Sequence, residues 1–140
     1  MIKIKTLDHL VLTVKSIPKT IDFYEKILGF KSTSFIPAKD PSAQPRTALL
    51  FGSMKINLHP ADAPYKPYAN VPLPGTADLC FILDDINSTT KDIPQVIEFL
   101  NKNNIPIESG PVNTTGANGR MLSVYIRDPD LNLIEIAKYE

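Results

Sequence analysis

The chain opens two helices in the same way. Ser16-Ile17-Pro18 leads into Ile21, Asp22 and Phe23, and Asp92-Ile93-Pro94 leads into Ile97, Glu98 and Phe99, with every matched pair at one constant offset. Ser16 and Asp92 are N-capping residue types, proline is tolerated in a first helical turn, and Asp92 with Gln95 makes a capping-box pair. In the first helix apolar residues recur at helical spacing through Ile17, Ile21, Tyr24 and Leu28, widened by Phe23 and Ile27, and Gly29 stands where a left-handed C-terminal cap is wanted. An internal repeat constrains the fold more than any single motif, because the supersecondary unit built by one half is built again by the other.

Strand patterns complete the unit. Leu7 to Val14 reads as a buried strand before the first helix, and three runs follow it: Lys31 to Ile36, Thr47 to Phe51 and Lys55 to His59, the last two joined by Gly52-Ser53 as a tight hairpin. In the second half Ala77 to Leu83 precedes the helix, and a short run near Pro106 to Glu108, then Leu122 to Arg127 and Leu133 to Lys138, follow it. Asp128-Pro129-Asp130-Leu131-Asn132 has turn chemistry throughout. Each half therefore reads βαβββ, with module 1 at about residues 5–60, a Pro-rich crossover at 61–75 and module 2 at about 76–140. A sheet with one helix layer leaves its other face uncovered. The expected fold is α+β, with paired βαβββ modules forming one incomplete mixed β-barrel, helices outside and a cleft inside. Gly110 to Gly119 reads as a loop over that cleft, acting as a mobile lid, because no helix or Lys-Ser/Thr pair follows to make it a phosphate cradle.

Composition narrows the function. With 15 basic and 15 acidic side chains the formal charge is zero, so no long-range field draws the chain toward nucleic acid or an anionic membrane. A 43% hydrophobic content supports a packed core, yet no run approaches the ~18 apolar residues of a membrane span. Met1-Ile2-Lys3-Ile4-Lys5 lacks the apolar region of a signal peptide. The single cysteine, Cys80, excludes an internal disulfide and a Cys-based zinc cluster within one chain. A cytoplasmic protein is expected.

The candidate site comes from polar residues on strands that are otherwise apolar. Alternation puts His9, Val11 and Thr13 on one face, and likewise Asn57 with His59, Asp78 with Cys80, and Leu133 with Glu135 and Ala137. A carboxylate inside an apolar strand costs several kcal/mol unless a cation or hydrogen-bond donors meet it, so Glu135 needs a partner. Under pseudo-symmetry His9 matches Asp78 and Asn57 matches Glu135, with His59 one rung along. Two imidazoles and one or two carboxylates suit a divalent zinc, nickel, manganese or iron(II) ion. Taken singly the residues also have bland readings: His9 beside Asp8 as an edge histidine, His59 as a strand-end cap, Asp78 as a hydrated strand mouth and Asn57 as a bridge between backbone groups.

Three passages resemble the vicinal oxygen chelate superfamily, which contains the glyoxalases, bleomycin-resistance proteins and extradiol dioxygenases. They are Leu7-Asp8-His9-Leu10 with Val14, the helix end Tyr24 through Gly29-Phe30, and the closing run Tyr125-Ile126-Arg127-Asp128-Pro129-Asp130-Leu131-Asn132-Leu133-Ile134-Glu135. Asn57-Leu58-His59, Pro74-Gly75 and Gly110-Pro111-Val112 look most like the glyoxalase domain-containing protein 5 branch. The resemblance implies paired βαβββ modules and a metal that chelates substrates through adjacent oxygens. Carried over by position, its ligands fall on His9 and Glu135, with Asp78 where histidine is common, Asn57 at the fourth-strand position and His59 as a substitute ligand. Leu131 replaces the usual glycine of the closing turn, a change that Asp130 and Asn132 are expected to absorb.

The resulting expectation is a glyoxalase-like, metal-dependent lyase or isomerase. His9, His59 and Glu135 hold the ion, Glu135 or Asp78 serves as base, and Arg46, Asn57, Arg120 and Tyr125 contact a small-molecule substrate. Two alternatives stand beside it: a metal-free binding or resistance module, and a ferrous extradiol dioxygenase. A homodimer is expected in each case.

Overall fold

The computed structural model describes residues 1–140. They divide into two compact units, Met1–Pro74 and Gly75–Glu140.

The first unit runs β1 (His9–Val14), α1 (Ile17–Lys26), β2 (Lys31–Phe35), β3 (Arg46–Phe51) and β4 (Met54–Pro60). Its sheet order is β1-β4-β3-β2, with β1 parallel to β4 and the other pairs antiparallel. The Ser16 hydroxyl accepts the Lys19 amide at 3.3 Å to start α1, and Gly29 at φ 69° turns the chain after it. One face of the sheet is apolar. Leu12, Val14, Leu49, Ile56 and Leu58 are buried there with Tyr24 of α1, each worth about 1.5–3 kcal/mol relative to exposure.

The second unit repeats the plan with β5 (Asp78–Ile82), α2 (Ile93–Lys102), β6 (Ser109–Gly116), β7 (Gly119–Arg127) and β8 (Leu133–Tyr139), ordered β5-β8-β7-β6. Asp92 caps α2 by accepting the Gln95 amide at 2.9 Å, while the Gln95 side chain accepts the Lys91 amide at 2.8 Å. Ile93, Val96 and Leu100 of α2 are buried with Val124, Ile126, Ile134 and Ile136. The α+β class and the two βαβββ modules are as expected, and neither four-stranded sheet closes on itself.

Three local expectations are corrected. The first strand starts at His9 rather than Leu7, which is exposed. Gly110 to Gly119 is not a lid: it forms most of β6 and a two-residue Ala117-Asn118 turn into β7, with Thr114 opposite Met121 and Gly116 opposite Gly119. The strand expected near Pro106 to Glu108 therefore lies at Ser109–Gly116. β6 is an edge strand, and Pro111 falls in the irregularity between Ser109 and Val112, so its missing amide costs no ladder bond.

In the closing turn Leu131 itself takes the left-handed conformation at φ 66° instead of passing it to its neighbours. The buried Asp128 carboxylate holds the turn, accepting the Asp130 and Asn132 amides at 2.9 and 3.0 Å and the Asn132 side chain at 2.8 Å. Asn132 in turn accepts the Ala77 amide at 2.9 Å, which ties the turn to the entry of β5.

Candidate functional site

With the apolar face of each sheet turned toward its helix, the polar candidates collect on the opposite face. In the first module Thr13 pairs with His59 and Phe35 with Arg46, and Arg46 and His59 follow the Thr47–Leu58 pair outward, so the four residues form one row across the sheet. Two residues along, Val11, Asn57, Ala48 and Thr33 form the next row, and two further, His9, Lys55, Leu50 and Lys31 form a third. Arg46 lies with its guanidinium 4.1 Å from the centre of the Tyr65 ring, and the same ring meets His59 edge-on at 5.0 Å. Lys55 reaches over the Phe35 ring at 4.4 Å. The side is cationic, since Arg46 forms no ion pair with any carboxylate. Asp40, which feels the charge of Arg46, is bound to the Ser42 amide and hydroxyl.

Two polar atoms on this face are buried without a partner, Asn57 Oδ1 and His59 Nδ1. His59 is only 6% exposed. Burial first, and then the positive charge of Arg46, hold its imidazole below the ordinary pKa, so at neutral pH it is uncharged, with one ring nitrogen a donor and the other an acceptor. His9 is different. It begins the edge strand, is exposed, and its Nδ1 sits 2.6 Å from the carboxylate of Asp8.

His9 and His59 share a face but are not brought together. They lie four residues apart along paired strands, about 13 Å at the usual strand rise, whereas two nitrogens at ~2.0–2.1 Å from one ion lie within ~4 Å of each other.

In the second module Asp78, Cys80 and Ile82 on β5 face Leu133, Glu135 and Ala137 on β8, and Tyr125 and Ser123 continue the rows on β7. Glu135 has found its partner here. Thr114 Oγ1 donates to the carboxylate at 3.1 Å and lies 2.7 Å from Ser123 Oγ, and Cys80 and Tyr125 flank Glu135 on the two neighbouring strands. Partial desolvation, followed by the charge of Glu135, pushes the Cys80 thiol up to about 11, and the same two causes in the same order raise Tyr125. Asp78 is exposed, one diagonal step from Glu135. Arg120 sits apart near the β6–β7 turn, ion-paired to Glu140 at 3.1 Å.

The sequence reading missed Thr114 as the donor to Glu135, with Ser123 bonded to Thr114 behind it, and Tyr65 as the ring under Arg46. Thr114 was hidden by reading its strand as a loop, and the strand alternation of Val112, Thr114 and Gly116 is the signal that points to it. Tyr65 lies in the crossover, where no periodicity operates.

The donor set does not fit a resident metal. No group of three or more His, Cys, Asp or Glu side chains is placed to hold an ion, and Glu135 accepts a hydrogen bond from Thr114.

The model of the Glyoxalase/Bleomycin resistance protein/Dioxygenase superfamily matches residues 6–136. The chain belongs to this superfamily. Virulence protein STM3117 of Salmonella typhimurium is 48% identical over 136 residues, which cover 97% of this chain and 85% of that protein. Its crystal structure superposes with a TM-score of 0.85 at 46% identity, covering 99% of this chain and all of the other. Glyoxalase domain-containing protein RDO1 of Mycosarcoma maydis is 43% identical over 139 residues, or 99% of this chain and 71% of that protein. Members of the superfamily often bind divalent metal ions. No helix of this chain is long and apolar enough to cross a membrane.

Proposed function

We propose that this superfamily member binds a small anionic molecule through its own hydrogen-bond donors rather than through a resident ion. One observation carries the reading: Glu135, at the position where the resemblance puts a metal ligand, accepts a hydrogen bond from Thr114 and belongs to no group of three or more His, Cys, Asp or Glu side chains placed to hold an ion. A carboxylate already supplied with a donor has less to gain from recruiting a cation. Arg46 and Asn57 are the contacts of choice for the ligand, while Arg120 is committed to Glu140. We place the chain nearest the glyoxalase domain-containing protein 5 branch, on the segments Asn57-Leu58-His59 and Gly110-Pro111-Val112. A reducing compartment such as the cytoplasm suits its lone thiol. Exposed Val11 and Ile82, one on each edge strand β1 and β5, favour a homodimer, which light scattering on the eluting protein tests directly.

The second reading is the metal-dependent lyase or isomerase, with His9, His59 and Glu135 as ligands and Glu135 or Asp78 as base. It is favoured by the matching registers of the two modules, which give His9 and Asn57 in one the same diagonal relation as Asp78 and Glu135 in the other. The deciding experiment is elemental analysis of protein purified without chelator or affinity-column nickel, beside a His9→Ala, Glu135→Ala double variant. The proposal expects far less than one ion per chain, equal in the two proteins. Near-stoichiometric metal that disappears in the variant would overturn it in favour of the enzyme.

A further inference from the structure

The first module carries an unmet demand for oxygen. Arg46 lies on the Tyr65 ring without a carboxylate partner, and His59 Nδ1 and Asn57 Oδ1 are buried and unpaired on the same strand face, two residues apart on β4. Leaving buried polar atoms unpaired costs about 1–3 kcal/mol each, so native chains keep such atoms for a ligand or an ordered solvent molecule. The equivalent positions of the second module hold Ser123 and Ala137 in place of Arg46 and His59, so the repeated scaffold does not itself require this pair.

The chemistry of the three groups selects the ligand. A guanidinium prefers a carboxylate or phosphate, which it grips with two parallel hydrogen bonds. Asn57 Oδ1 is an acceptor and needs a donor, which an ionised carboxylate cannot be. A hydroxyl answers both remaining atoms, donating its one proton to Asn57 Oδ1 and accepting from the neutral His59 ring in the tautomer that carries its proton on Nδ1. We propose that Arg46 and His59, neighbours in one row, with Asn57 in the next row and the Tyr65 ring packed against them, form a binding site for a small hydroxycarboxylate, the carboxylate on Arg46 and the adjacent hydroxyl between Asn57 and His59. The inference rests on the metal-independent reading above. Tyr65 closes the row by packing edge-on against His59, and the ligand enters as that ring turns aside, its carboxylate replacing the ring face as the partner of Arg46.

The test is an NMR titration of the side-chain imidazole signals of the full chain. Only two histidines are present, and the His59→Gln variant identifies the His59 signal by its loss. Glycolate should move His59 saturably and leave His9 in place. Acetate, which lacks the hydroxyl, should bind at least tenfold more weakly, as should glycolate to Arg46→Gln, with Arg46→Lys between that variant and the parent. Equal affinity for acetate and glycolate, tighter binding of inorganic phosphate than of glycolate, absence of saturation, or an unchanged affinity in Arg46→Gln would each overturn the site. Zinc chloride titrated in place of glycolate separates the two readings. A His59 shift at micromolar zinc overturns both, whereas a glycolate failure without a zinc shift overturns only this inference.

Discussion

Leu131 offers a stability experiment whose sign is set by backbone geometry. The residue sits at φ 66° and its side chain is 68% exposed, while its amide donates to Asp128 O at 2.9 Å and its carbonyl accepts from Arg127 at 3.1 Å, contacts that any residue keeps. A left-handed conformation costs a residue with a Cβ about 1–2 kcal/mol. Comparing Leu131→Gly with Leu131→Ala isolates that cost, because both lose the same leucine side chain and differ only in the Cβ. Elsewhere in a protein alanine is favoured over glycine by about 0.4–1 kcal/mol through the unfolded state. Here about 1.5 kcal/mol of relieved strain less about 0.7 of added unfolded-state entropy leaves glycine ahead by about 0.8 kcal/mol. With a urea m-value of about 2 kcal/mol per molar, the glycine variant should unfold about 0.4 M later than the alanine variant, followed by far-UV circular dichroism. An alanine variant that equals or exceeds the glycine variant would refute the strain argument.

Asp128→Ala removes the acceptor of three hydrogen bonds in the same turn and should cost about 3 kcal/mol, lowering the melting temperature by roughly 10 °C in calorimetry; a loss under ~1 kcal/mol would mean that water replaces the carboxylate. Cys80, raised to about 11, should alkylate slowly with iodoacetamide at pH 7.4, its rate climbing about tenfold per pH unit up to that value. Glu135→Gln removes the repelling charge and should speed the reaction at pH 7.4, and an unchanged rate would break the proposed coupling of the two groups. Glu108 is hydrogen-bonded by Arg127, which holds its carboxyl below the ordinary value, so its contribution to stability is present above the unfolded pKa and is lost as pH falls through the folded one. Glu108→Gln should therefore be less stable than the parent at pH 7, with a difference that shrinks toward pH 3 in urea titrations.

Most of the fold was legible because helix and strand patterns are local. The caps at Ser16 and Asp92, the Gly52-Ser53 hairpin and the alternation that puts His59 and Glu135 away from the helices all follow from neighbouring residues, and the structure agrees. The misread pieces are those where a local signal was outweighed. Gly110 and Pro111 look like loop residues until the pairing of Thr114 and Gly116 with β7 draws the segment into a sheet edge. Leu131 looks unsuited to a left-handed turn until the bonds accepted by Asp128 are counted against its strain. The candidate site was half legible. Residue types and faces came from the sequence, but the spacing of His9 and His59 depends on the β1–β4 register, and the donor to Glu135 depends on a strand that had been read as a loop.

The repeat turns these details into an argument about function. Equivalent rows of the two modules carry His9 and Asp78, Asn57 and Glu135, His59 and Ala137, and Arg46 and Ser123. The buried helix-facing positions, Leu12, Leu49, Ile56 and Leu58 in one module and Val124, Ile126, Ile134 and Ile136 in the other, stay apolar as packing demands, so what the opposite rows hold differently reflects what each face does rather than how it folds. On the second module an acceptor, Glu135, accepts from the Thr114 hydroxyl and stands between Cys80 and Tyr125. On the first a guanidinium, an imidazole and an amide oxygen stand close together with no carboxylate among them. A face whose carboxylate already has a donor gains less from a cation, whereas a face of unsatisfied donors and one unsatisfied acceptor gains most from a partner rich in oxygen. The divergence of the modules therefore points to recognition of an oxyanion on the first, with the carboxylate of the second engaged in holding its own sheet face together.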